Sequence, residues 1–150
     1  MAATMDILPT FAAIAGAPLP ERKIDGFSLL PLLTGKTDIS PRQELLYYYG
    51  KEFQAVRQGK WKLHVPHTYT SYEGLAPGRD GFPGPTDRKT TGYGLYDLEK
   101  DIGERHNLIE LFPDVAERLM ALAERAREEL GDSDRPGREV RPCGQITKSP

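Results

Sequence analysis

The sequence predicts an α+β fold: a small antiparallel sheet of about four strands, packed against one long C-terminal helix and preceded by a separate helix. Three observations lead to this prediction. Aromatic and β-branched residues cluster in short stretches between residues 44 and 65, which is typical of strands. Apolar residues recur with a helical period through residues 113–130 and again through residues 4–16.

The first predicted helix, residues 4–16, has one apolar face. Thr4 or Asp6 is the expected N-cap, and Gly16 is the expected C-terminal stop. A helix of this length is marginally stable by itself, so its apolar face needs a partner. The residues of that face are Ile7, Leu8, Phe11, Ile14 and Ala15.

Residues 18–40 predict a loop anchored by apolar side chains, in which Pro31 opens a short helical turn that ends at Gly35. Asp25 and Ser28 lie in this loop. A catalytic role and a role in turn formation are both open for them, and the usual behaviour of such residues favours the turn.

Three strands are predicted in the first part of the sheet: residues 44–49, 53–57 and 60–65. A two-residue turn at Gln58-Gly59 places Val56 opposite Trp61. Trp61 is then the expected core anchor of the sheet, since an aromatic side chain buries a large area. Strand alternation puts the polar residues of the third strand on the opposite face. These residues are Lys60, Lys62 and His64.

The sequence of the remaining chain predicts five further segments. Residues 66–94 read as a long irregular connection rich in proline and glycine. Residues 94–98 form a fourth strand, and residues 97–107 form a turn. Pro113 to Leu130 is the clearest helix, with Gly131 as its stop. After this helix the sequence is polar and proline-rich, which predicts loose order.

Composition excludes several classes of function. The formal net charge is -2, so no broad basic surface for nucleic acid is present. No apolar run approaches the roughly 18 residues that span a bilayer. Cys143 is the single cysteine, which excludes an intrachain disulfide. We find no secretory signal, and the compartment stays open.

Acidic residues alternate in the turn after the fourth strand, which raises the question of a calcium loop. They are Asp97, Glu99, Asp101 and Glu104. An EF-hand requires glycine at its sixth position and glutamate at its twelfth. Ile102 and Leu108 stand there instead. The sequence therefore predicts a structural turn and no metal site in this chain.

Three separated stretches resemble the C-terminal part of a sulfatase of the arylsulfatase type. They are DILPTFAAIAGAP (residues 6–18), FQAVRQGKWKLHVPH (residues 53–67) and LYDLEKDIGERHNL (residues 95–108). The resemblance implies that residues 1–40 are the last helix and connecting loop of an absent catalytic α/β domain. Residues 41–131 would be the C-terminal subdomain, and residues 132–150 a loosely ordered tail.

The resemblance also implies cofactors. An intact enzyme of this type carries calcium and a formylglycine, made from the first residue of a C/S-x-P/A-S-R motif. Cys143 lies in Arg-Pro-Cys-Gly-Gln, without the Ser-Arg that follows in the motif. We therefore expect no catalytic residue and no cofactor in this chain, which alone should not hydrolyse sulfate esters. Whether the protein acts as an enzyme stays uncertain at this point.

By resemblance, His67 is the first candidate for contact with substrate, Tyr69 the second and His64 the third. In similar sulfatases the segment after this strand folds over the mouth of the active site. The alternatives are a surface-loop histidine for His67 and a sheet-surface position for His64. His106 is expected to be structural. The basic cluster of the hairpin (Lys51, Arg57, Lys60 and Lys62) is expected to be a solvated face or a contact with the missing domain.

Two partners are expected. The first is the missing catalytic domain, bound through Ile7, Leu8, Phe11, Ile14 and the hairpin face, with self-association possible when that domain is absent. The second is a small-molecule sulfate ester in the intact enzyme. Nucleic acid and membrane are not expected as partners. A different class of function stays open: a free-standing, non-catalytic module that binds a sulfated ligand or a protein.

Overall fold

The computed structural model describes residues 1–140. Its contacts divide the chain into two compact units, Met1–Leu45 and the chain from Leu46 onward. In chain order the elements are a 3₁₀ helix (Thr4–Asp6), α1 (Ile7–Ala15), α2 (Leu30–Leu33), β1 (Glu44–Tyr49), β2 (Glu52–Gln58), β3 (Trp61–His64), β4 (His67–Ser71), β5 (Asp87–Thr91), β6 (Gly94–Asp97), α3 (Pro113–Leu130), β7 (Gly131–Asp132) and β8 (Arg135–Pro136).

The first unit is organised by a buried ion pair between Asp6 and Arg42. The Asp6 carboxylate accepts hydrogen bonds from Arg42 Nε at 2.9 Å, from a second guanidinium nitrogen, and from the Phe27 backbone N–H at 2.9 Å. The Arg42 guanidinium holds the pKa of Asp6 well below its ordinary value. Asp6 does occupy the N-cap position of α1 but makes no side-chain cap bond to that helix. The predicted N-cap position is therefore confirmed, whereas the side-chain cap bond to α1 is absent because the carboxylate pairs with Arg42 and accepts from the Ala3 N–H at 2.8 Å.

The loop between α1 and α2 is tied to the helix by polar bonds. Thr10 Oγ1 donates to the Asp6 carbonyl at 2.6 Å and accepts from the Leu29 N–H at 2.9 Å. A Cβ on Gly26 would lie 2.0 Å from the Met5 carbonyl oxygen, so this position requires glycine. The helical turn predicted around Pro31 is present as α2.

The main sheet has four strands in the order β1-β2-β3-β6, with β3 antiparallel to both β2 and β6. This sheet and the long helix α3 confirm the predicted α+β fold class. The helix begins at Pro113 and ends at Leu130, as predicted, with Gly131 after it at a φ of 90°.

The hairpin register differs from the prediction. Val56 lies opposite Leu63, and Gln58 lies opposite Trp61, so pairing Val56 with Trp61 was wrong by two residues. Gly59 has a φ of 59°, which suits the first central position of a type II′ turn and starts the turn at Gly59. Since the shift is an even number of residues, the same side chains still share each face.

The core lies between the sheet and α3. Phe53, Leu63, Leu95 and Leu119 are among its fully buried side chains, and burying one such side chain contributes about 1.5–3 kcal/mol. Trp61 is not the anchor we expected. It is half-buried at the margin, with its ring centroid 4.9 Å from that of Phe112. Within residues 1–140, no helix is both long and apolar enough to cross a bilayer.

Two segments that we predicted to be irregular contain strands. Within residues 66–94, β4 and β5 form an antiparallel pair that runs from His67 opposite Thr91 to Ser71 opposite Asp87. Residues 131–136 form the short β7–β8 hairpin. Asp132 in it accepts a hydrogen bond from the Phe53 N–H at 2.9 Å. The expected loose order is therefore wrong for this part of the tail, while residues 141–150 lie outside the described residues. The assignment of segments to an absent domain and a subdomain stays a prediction.

The apolar face of α1 is exposed. Ile7, Leu8, Phe11 and Ile14 have exposed fractions of 52, 56, 65 and 61%. Their shared face follows from the helical period, and no residue of the first unit, Met1–Leu45, covers it. The predicted partner of this face stays a prediction.

Candidate functional site: a histidine cleft

A cleft of about 730 Å³ opens on the unit that begins at Leu46. It draws residues from β2, β3 and β6, from the β4–β5 pair, and from the turn after β6. The lining residues are Gln54, His64, His67, Tyr69, Glu73, Thr91, Tyr96, Gly103, Glu104 and Arg105. All three residues predicted to lie near substrate are among them.

His67 is the first residue of β4 and is only 7% exposed. Its Nδ1 lies 2.7 Å from the Val65 carbonyl oxygen. Since a carbonyl oxygen only accepts, Nδ1 must carry the proton. In the neutral ring, Nε2 is therefore the acceptor, and no partner for it occurs among residues 1–140. Since no buried side-chain nitrogen of the described residues lacks a hydrogen-bond partner, this nitrogen is accessible to solvent, and His67 lines the cleft.

His64, at the end of β3, lies beside His67. The two ring centroids are 5.4 Å apart and the ring planes differ by 19°, which is a stacked arrangement. The edge of Tyr96 meets His64 at a centroid distance of 5.6 Å. Gly94, opposite His64 in the sheet, makes room for this ring, since a Cβ there would lie 2.8 Å from Tyr96.

Glu104 joins His64 to Lys62. Its Oε1 accepts from Lys62 Nζ at 2.7 Å, and its Oε2 lies 2.6 Å from His64 Nε2. The three side chains are 26%, 14% and 18% exposed in the order Glu104, Lys62 and His64. A carboxylate only accepts, so His64 Nε2 carries a proton.

The pKa of Glu104 records this environment. Burial raises the pKa of the carboxyl group, but the hydrogen bonds from His64 and Lys62 outweigh burial and lower the pKa to about 2. The carboxylate is therefore ionised throughout the neutral pH range, and its charge is balanced by donors on β3.

Tyr69 lies at the outer end of the cleft, with its ring centroid 6.0 Å from that of His67. It sits opposite Lys89 on β5. Lys89 Nζ in turn donates to Glu73 Oε2 at 2.7 Å. Glu73 is 79% exposed, so solvent screens this pair and it adds little stability.

The structure brings His64, His67 and Tyr69 together, and their contact with substrate stays a prediction. Sequence reasoning missed two members of the cluster. We assigned Glu104 only to the turn. For Lys62 we expected a solvated face or a contact with the missing domain; the solvated position is wrong, because its ammonium group pairs with Glu104, and the domain contact stays a prediction. The signal for Lys62 was available, since alternation places it on the face of His64. His106 is 78% exposed and lies outside the cleft lining.

The comparisons with known proteins agree on one family. A model of the C-terminal region of aryl-sulfatase matches residues 40–146. Human arylsulfatase A (Homo sapiens) is 41% identical over 119 residues, which cover 73% of this chain and 22% of that protein. Human steryl-sulfatase is 54% identical over 54 residues, which cover 35% of this chain and 9% of that protein.

A solved structure also matches this chain over most of its length. It comes from work on the metabolism of multiple glycosaminoglycans by Bacteroides thetaiotaomicron, and it matches with a TM-score of 0.58 and 27% identity. The match covers 81% of this chain and 24% of that chain.

The chain belongs to the family defined by the C-terminal region of arylsulfatases, which confirms the resemblance seen in its three motifs. It spans about a quarter or less of the relatives described above. Membership implies calcium and formylglycine in an intact enzyme. The described residues do not fit that calcium, because residues 1–140 hold no group of three His, Cys, Asp or Glu placed to bind a metal. Cys143 lies outside the described residues.

We predict that Glu104→Gln destabilises the chain in a pH-dependent way. The folded pKa of Glu104, about 2, lies below its ordinary value of 4.5. Its stabilisation is therefore complete above pH 4.5 and is lost as the pH falls toward 2. Urea unfolding followed by Trp61 fluorescence should show the variant less stable by about 1–3 kcal/mol at pH 6. The difference should shrink at pH 3.

Glu73→Gln is the matched control, because it removes the same charge from an exposed pair on the same cleft. Its effect on stability should be small at every pH, because solvent screens an exposed pair. A stability difference for Glu104→Gln that does not change between pH 6 and pH 3 would contradict this account of the carboxylate.

Proposed function

We propose that this chain is the C-terminal region of an enzyme that hydrolyses sulfate esters and that its histidine cleft completes the rim of the active site. The observation that supports this most is His67, which lines the cleft and keeps its solvent-accessible Nε2 without a partner among residues 1–140, in a chain of the arylsulfatase family. The rest of the enzyme would supply the nucleophile and the calcium.

The chemistry of the cleft suits a sulfate ester. A sulfate is an anion, and the cleft carries the guanidinium of Arg105 and two imidazoles. The negative charge of Glu104 is already balanced by Lys62 and His64. Neutral His67 would accept from a hydroxyl of the substrate, and protonated His67 would donate to a sulfate oxygen. Tyr69 would contact the organic group.

The organic group of the substrate is left open. The relatives are named for different substrates, such as steryl sulfates and N-acetylgalactosamine 6-sulfate. Family membership therefore supports a sulfate ester as substrate and does not select among its alcohols.

The exposed face of α1 supports a second part of the proposal. Exposed apolar surface of this kind marks an interaction site, and the relatives extend far beyond the matched region. We assign the remainder of the enzyme as the partner of Ile7, Leu8, Phe11 and Ile14. In the isolated chain the same face would favour self-association.

The direct test of the site is His67→Ala in an intact sulfatase that carries this region. We expect kcat/KM for a sulfate ester to fall about 10- to 100-fold, the loss of one charge-assisted hydrogen bond. His106→Ala is the control, since that ring is 78% exposed and outside the cleft lining, and it should leave kcat/KM unchanged. An unchanged value for His67→Ala would end the site assignment.

For the α1 face, we predict that the isolated chain self-associates and binds a hydrophobic dye. Phe11→Ser should reduce both, because it places a hydroxyl at the centre of the apolar face. Ile39→Ser is the control, since Ile39 is 73% exposed and lies outside α1. Sedimentation of the wild-type chain as a clean monomer without dye binding would contradict the assignment.

A further inference from the structure

Glu104 has an unusual backbone conformation. Its φ is 53°, in the left-handed region, which it shares with Asp80 alone among the non-glycine residues 1–140. This conformation is unfavourable for a residue that carries a side chain. A glycine stands one position earlier, yet Gly103 does not take the left-handed conformation. The strain therefore falls on the residue that carries the carboxylate.

The surrounding turn enforces this conformation from both sides. The Glu104 N–H donates to the Asp101 carbonyl at 3.1 Å. The Asp101 carboxylate accepts from the N–H groups of Arg105 at 2.7 Å and His106 at 2.8 Å. Strain that the surroundings over-determine in this way is typical of functional sites.

The left-handed backbone conformation of Glu104 places its carboxylate within hydrogen-bond distance of two donors. Lys62 and His64 are two residues apart on β3 and so point to the same face. Each oxygen of Glu104 takes one of them, at 2.7 and 2.6 Å. Lys62 is further fixed by its ammonium group, which lies 4.6 Å from the ring centroid of Tyr47. The second oxygen then holds His64 with its proton on Nε2.

His64, once fixed by Glu104, in turn restricts the ring of His67 by stacking on it. The stacked rings are 5.4 Å apart, and the Val65 carbonyl fixes His67 from the other direction through Nδ1. We infer that Glu104 is a positioning residue for the histidine pair and that it keeps His67 Nε2 directed at the substrate. This inference rests on the proposed function of the cleft. Glu104 acts through His64 and does not itself bind substrate.

Glu104→Gly separates positioning from a structural role of the turn. Glycine adopts a φ of 53° without cost, so the variant relieves the backbone strain while it removes the carboxylate. Glu104→Gln supplies a second variant that keeps the side-chain volume. Lys62 can only donate, whereas neutral His64 can exchange tautomers. The glutamine oxygen should therefore face Lys62, and its amide should donate to His64 Nε2.

The experiment is ¹H–¹⁵N spectroscopy of the three histidine rings in the 150-residue chain, at mildly alkaline pH. In the wild type we expect His64 with its proton on Nε2 and His67 with its proton on Nδ1. Glu104→Gly should remove the single His64 tautomer and shift the His67 signals. Glu104→Gln should move the His64 proton to Nδ1. Glu73→Gln should change neither ring.

Ring signals of His64 and His67 that are the same in both Glu104 variants as in the wild type would overturn the inference. The readout is independent of turnover. Failure of this inference is therefore distinguishable from failure of the proposed function, which the His67→Ala kinetics test. In the intact enzyme, Glu104→Gly should lower kcat/KM in the same direction as His67→Ala while the protein stays folded.

Discussion

The histidine cleft depends on one carboxylate. Glu104 lies 40 residues after His64 in the chain, and its carboxylate binds both His64 and Lys62. Its charge is stabilised only because both donors lie on the same face of β3. Removing either donor would leave a half-buried carboxylate under-compensated, and such a loss is costly. The stacking of His64 on His67 then extends this order to the ring of His67, which also lines the cleft.

One face of the sheet is apolar and the other carries the polar cluster. One face is covered by α3 and forms an apolar core around side chains such as Leu63, Leu95 and Leu119. On β3, alternate residues point away from that core, and these include Lys62 and His64. A one-residue slip of β3 would exchange the two sets, so the register that builds the core also places the polar cluster. Stability and the candidate site are thus coupled through a single strand.

Much of the fold was predictable from local patterns, and the cluster was not. The helical period of α3 and the aromatic strands are local signals, and the structure confirms both. The register was missed because it depends on the φ of Gly59, and β4–β5 was missed because its strands are polar and 15 residues apart. Glu104 could not be paired with His64 from sequence, since no local pattern links residues so far apart.

We propose that this region lines a sulfatase active site and that the nucleophile lies elsewhere in the intact enzyme. The most direct measurement is hydrolysis of a generic aryl sulfate by the purified 150-residue chain in the presence of calcium. We expect no turnover above that of the buffer, because the formylglycine motif is absent from the sequence. Clear turnover that persists in Cys143→Ala would contradict the claim, since it would require a nucleophile within this chain other than its single cysteine.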